Sequence, residues 1–151
     1  MSNTLKSFKI ANIIASCVVV IGLFPAWLIS RGFGMTIGAN AFHLIYNPTG
    51  VIIIICAITA ILFTSISLIK SNKATKILAG IINLICSLIM ALMVVACFNV
   101  TFDRLKYISD GNPGFGIFLS TIGVVSVFVT SICILATKDR KTSKKGSSKK
   151  K

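Results

Sequence analysis

Apolar positions in this chain gather into four runs, Ile10 to Ile29, Val51 to Ile69, Ile77 to Phe98 and Phe115 to Ala136. Charged residues fall only outside them. The runs hold 20, 19, 22 and 22 residues, and none contains Asp, Glu, Lys, Arg or His. Each matches the roughly 20 residues that an α-helix rising 1.5 Å per residue needs to cross about 30 Å of hydrocarbon. In the second run, twelve Ile, Leu, Val or Phe residues contribute about −4 to −7 kcal/mol towards insertion. The pattern therefore predicts an all-α, polytopic membrane protein. Residues 1–136 form an antiparallel four-transmembrane-helix bundle with short outer loops, and 137–151 form a disordered Lys-rich tail.

The connections sharpen this plan. Lys70 to Lys76 is a seven-residue link with three lysines, long enough only for a tight antiparallel turn. Ser30 to Gly50 and Asn99 to Gly114 become the two outer loops. Trp27 and Tyr46 are expected at the headgroup level of the outer interface, with Arg31 snorkelling beside them. Phe102, Leu105 and Ile108 are spaced to line one side of a short helix lying in that interface. Asn47 and Pro48 are placed to cap the second span, and Asn112 and Pro113 the fourth. These Asn-Pro pairs lie 65 positions apart, an offset that also carries Ala15, Gly22 and Ala26 onto Gly80, Ser87 and Ala91, as a repeated hairpin would. The first run exceeds the h-region of a secretory signal, so it reads as an uncleaved span.

At 100° per residue every run shows a face of small or weakly polar residues. The faces are Ala11, Ala15, Gly22 and Ala26; Ala57, Ala60, Thr64 and Ser67; Gly80, Asn83, Ser87 and Ala91; and Gly116, Ser120, Gly123, Ser126 and Thr130. Such faces let backbones approach closely in lipid, and their hydroxyls bond across helices for about 0.6 kcal/mol each. The candidates for helix packing or a polar track are Asn83, Gly80, Ser87, Thr64, Ser67, Gly116, Ser120 and Gly123. Asn83 is the most polar of these, and it reads as glue between helices.

Composition agrees with immersion in lipid: 55% of residues are hydrophobic and the mean hydropathy is +0.92. A formal charge of +13 would suggest nucleic acid on a soluble domain, but its distribution points elsewhere. With both termini inside, thirteen basic residues face Asp139 on the inner side, and Arg31, Arg104 and Lys106 face Asp103 and Asp110 outside. A net +12 inside against +1 outside is the positive-inside pattern for N-in, C-in threading. No nucleic-acid partner is expected. The tail bases Lys138, Arg140, Lys141, Lys144, Lys145, Lys149, Lys150 and Lys151 are candidates for contact with the anionic inner leaflet.

Chemistry is sparse. The chain has no glutamate, three aspartates and one histidine, His43, so paired carboxylates, a metal cluster and a nucleophile with its base are all missing. Cys17, Cys56, Cys86, Cys97 and Cys133 all fall inside the runs with no C-x-x-C spacing, as packing residues would. No catalytic residue, cofactor or metal is expected.

In its four-span, N-in and C-in plan, with Trp27 closing the first run and Gly114, Phe115 and Gly116 opening the fourth, the chain loosely resembles tetraspan proteins of the claudin and peripheral-myelin type. Its short first loop lacks the Trp/Cys signature of that group, and the resemblance implies no function. The expectation is a non-enzymatic, multi-pass protein of the cell membrane. It would act through helix-face or outer-loop association with another membrane protein or with itself, as an accessory subunit, scaffold or immunity-type protein. A small oligomeric channel or transporter subunit is the alternative.

Overall fold

The computed structural model describes residues 3–32, 35–42, 49–70, 72–106 and 111–137. Four helices, α1 (Asn3–Gly22), α2 (Thr49–Ile69), α3 (Lys73–Leu105) and α4 (Phe115–Ala136), alternate with three short strands, β1 (Leu28–Gly32), β2 (Met35–Ala39) and β3 (Gly111–Pro113). Each helix is long and apolar enough to cross a membrane. α1 and α3 each pack on both α2 and α4, so the helices stand around a square in chain order, every neighbour antiparallel.

Two of the helices coincide with their apolar runs, α4 to the residue and α2 within two residues. The first does not. Its helix begins seven residues early, because Leu5 and Lys9 in the polar lead lie on the buried face with Asn12, Ala15, Ser16 and Val19. It also ends at Gly22 rather than Ile29. Pro25 has no amide for the carbonyl of Ile21 and disfavours helical backbone at Phe24. The chain leaves through a tight turn, Leu23 N donating to Val20 O (3.1 Å) and Phe24 N to Ile21 O (3.3 Å). Ala26, expected on the small face of the first span, belongs to this extended exit, and Ala11 is exposed.

The third span is longer than expected. α3 has 33 residues, about 50 Å at 1.5 Å per residue. It starts inside the lysine link, where the carbonyl of Asn72 accepts from Lys76 N (3.1 Å) and Thr75 Oγ1 (2.9 Å). It then runs unbroken to Leu105, so Phe102 and Leu105 belong to α3 itself and not to a separate short helix; Ile108 lies outside the described residues.

The segments that join α1 to α2 and α3 to α4 meet in one antiparallel sheet of order β2-β1-β3. Leu28 stands between Ala39 and Pro113, and Ser30 between Ile37 and Gly111. Asn112 and Pro113 are therefore strand residues. Gly114, with no side-chain bond, takes the N-cap place of α4. Pro113 is tolerated because β3 is an edge strand. Asn47, Pro48, Tyr46 and His43 lie outside the described residues.

The exit segment after Gly22 is tied to both sides. Trp27 N donates to Ala39 O (2.8 Å), Gly114 N to Trp27 O (2.7 Å) and Gly116 N to Ala26 O (3.0 Å). Trp27 is consequently not an interface residue as expected. It is 0% exposed, and its indole Nε1 donates to the carbonyl of Gly22 (2.8 Å). It plugs the bundle beneath the sheet.

Candidate functional site

Towards the end opposite the sheet, the four helices turn a set of polar side chains onto the bundle axis. Asn12, Thr64, Asn83, Ser131 and Ser16 are all 0% exposed. The Asn83 amide Nδ2 donates to Thr64 Oγ1 (2.6 Å) and to Asn12 Oδ1 (3.0 Å). Thr64 in turn donates to the same Asn12 Oδ1 (3.1 Å). The Asn12 Nδ2 is shared among Thr130 Oγ1 (2.8 Å), Val127 O (3.2 Å) and Ser131 Oγ (3.3 Å). One asparagine of α1 thus touches the other three helices. Buried amides are stable in an apolar surround only when paired in this way.

One to two turns further from the sheet, two lysines cap helix ends. Lys9, 1% exposed, donates through Nζ to the carbonyl of Ser67 (2.5 Å) in the last turn of α2. Lys76, 7% exposed, donates to the carbonyl of Thr137, which closes α4. The last carbonyls of a helix have no partner within it and carry its negative dipole end, so a buried ammonium there answers both needs.

Two kinds of contact correspond when α1 is exchanged with α3 and α2 with α4. Asn12 donates to Thr130 as Asn83 donates to Thr64, and Lys9 caps α2 as Lys76 caps α4. The expected repeat was anchored on Asn-Pro pairs and on Ala15, Gly22 and Ala26. The equivalent contacts fall on other residues.

The small faces close on each other inside this bundle. A Cβ on Gly22 would lie 2.5 Å from Ser120 Oγ and 2.7 Å from Ser120 N, and one on Gly123 would lie 2.7 Å from Val19 Cγ2 and 2.9 Å from Val19 N. α1 and α4 therefore touch backbone to backbone. Gly116 receives the edge of Trp27, and Gly80 receives the tip of Leu135. Ser87 is buried but donates within its own helix to Leu84 O (2.8 Å). Ser67 Oγ, Ser120 Oγ and Asn83 Oδ1 are buried without a protein partner. Among the sequence candidates, Asn83 and Thr64 share one hydrogen-bond network, Ser67 meets Lys9, Gly116, Ser120 and Gly123 pack along the α1–α4 seam, and Gly80 packs along the α3–α4 seam.

Lys9, Lys76 and Asn12 are the residues that sequence reasoning passed over. The available signal was their spacing: Leu5, Lys9, Asn12, Ser16 and Val19 repeat at four, three, four and three, the period of one helix face. All five cysteines are free. No cluster of His, Cys, Asp or Glu fit to hold a metal occurs among the described residues. The candidate lipid-contacting bases from Lys138 to Lys151 lie outside them. No family model, curated protein or solved structure matches the chain.

Proposed function

We propose that the chain is a multi-pass protein of the cell membrane with both termini inside and the sheet outside. It works without catalysis, by associating through that sheet with another membrane protein or a second copy of itself. An accessory subunit, a scaffold and an immunity-type protein all act in this way. Immersion is supported by an inverted distribution of side chains. Ile14, Ile55, Leu92 and Ile122 are 58%, 58%, 70% and 62% exposed on the four helices, while Asn12, Asn83 and Thr64 are shut inside. Water would penalise that arrangement, whereas lipid favours it. The charge asymmetry of the sequence supports the threading.

The observation that carries the associative reading is the state of the two kinds of surface. The small faces are spent on packing within the bundle, whereas β2 is paired only on its β1 side in the described sheet. Thr36, Ile37 and Gly38 are exposed, Ile37 at 68%. A free strand edge offers backbone donors and acceptors to another chain. A photo-crosslinking residue at Ile37, compared with one at the lipid-facing Ile58, tests this in native membranes. A discrete adduct from position 37 alone supports the reading. Adducts from neither position, or only from Ile58, defeat it.

The second reading, a small channel or transporter subunit working as an oligomer, is favoured by the file of Lys9, Asn12, Thr64, Ser67 and Asn83 along the bundle. Liposome flux discriminates between the two. Flux through the parent that Asn83→Leu abolishes would support a channel, and absence of flux from both removes it.

A further inference from the structure

Each helical hairpin opens with the same spacing, Lys6-x-x-Lys9 in α1 and Lys73-x-x-Lys76 in α3, and the structure gives the two lysines of each pair different positions. Lys9 and Lys76 are buried as caps, while Lys6 and Lys73 are exposed. Lys6 lies one turn beyond Lys9 on α1, and Lys70, also exposed, directly follows the last residue of α2, its backbone N donating to Ile66 O (2.8 Å). Because Lys9 meets Ser67 on an antiparallel neighbour, Lys6 and Lys70 come to the same level at the ends of helices whose axes stand about 8–10 Å apart. Lys73 follows Lys70 across the short link. Asp103 is the only acid among the described residues, and it lies at the sheet end, paired with Lys106.

Ammonium groups held at one level, with no carboxylate among the described residues of that end, repel one another, and an anion placed between them reverses the sign of the interaction. We infer that Lys6 and Lys70, with Lys73 beside them, form a binding rim for the phosphate of an anionic phospholipid headgroup in the inner leaflet. A phosphodiester offers two charged oxygens to two ammonium donors, and a headgroup holds its phosphate at the depth where helix ends emerge. The rim belongs to the folded bundle and acts independently of the basic tail. It rests on the multi-pass reading, and the two fail differently.

The test uses the full chain in phosphatidylcholine nanodiscs into which phosphatidylglycerol is titrated, with retained lipid counted by native mass spectrometry. The parent is expected to retain phosphatidylglycerol selectively. Lys6→Gln with Lys70→Gln should weaken that retention on the order of 10- to 30-fold, whereas Lys6→Arg with Lys70→Arg keeps it. With the eight bases from Lys138 to Lys151 neutralised, the ratio of retention between the parent rim and the double Gln rim should stay within about twofold of its value with the tail intact. If the double Gln variant misfolds, each single Gln variant is expected to show a loss of about fivefold. Parent-like retention by the Gln variants, or a parent-to-Gln ratio lost on tail neutralisation, overturns the rim. Release of the chain from membranes by a carbonate wash would instead sink the multi-pass reading.

Discussion

Asn12 and Asn83 look alike in the sequence but hold different places in the bundle. Asn12 accepts two hydrogen bonds and shares its amide among three α4 acceptors, whereas Asn83 makes two bonds and leaves its own Oδ1 buried without a protein partner. Removing Asn83 therefore deletes two bonds and also relieves an unpaired acceptor. Removing Asn12 strips contacts from all three neighbouring helices. At about 0.6 kcal/mol per interhelical bond, Asn83→Leu should lower stability by about 1 kcal/mol and Asn12→Leu by about 2–3 kcal/mol. Reversible unfolding in mixed micelles measures both. An equal or inverted order would refute the hub assigned to Asn12. Asn83 was legible in the sequence because it interrupts an apolar run. Lys9 was hidden for the opposite reason: a lysine at the edge of such a run reads as its boundary, although burial on a helix C-terminus turns it into part of the core.

Among the elements, α2 and α4 were legible because apolar run and helix coincide when the packed face carries small residues and the exposed face stays apolar throughout. α1 and the sheet were not. The apolar residues from Leu23 to Ile29 continue the run by composition, yet Pro25 ends the helix and Trp27 is recruited under the sheet by Gly22 O and Ala39 O. β1 pairs with β3 across some eighty positions, and no local periodicity announces so distant a partner. Packing of α1 on α4 is the tightest seam, and it sets a second expectation. Gly123→Ala drives a methyl into the backbone of Val19, which cannot yield without parting the helices. Gly80→Ala meets only the mobile end of Leu135. The first should cost about 2–3 kcal/mol and the second less than about 1 kcal/mol, measured by the same unfolding titration. Equal costs would show that the α1–α4 seam is looser than described.

For the whole molecule, the corresponding contacts of the two hairpins, the buried lysine caps and the sheet at one end describe a bundle with two unlike ends. One end is basic, and the other is nearly neutral and carries an open strand edge. The central claim is that the first end lies inside the membrane boundary and the second outside. Cysteine labelling with a membrane-impermeant maleimide tests it most directly, in a variant whose five native cysteines are replaced and single cysteines are placed at Ile37, Ser71 and Ser147. Ile37→Cys should react in intact cells, and Ser71→Cys and Ser147→Cys only after permeabilisation. Labelling of position 71 or 147 from outside, or protection of position 37 until the membrane is opened, would contradict the account.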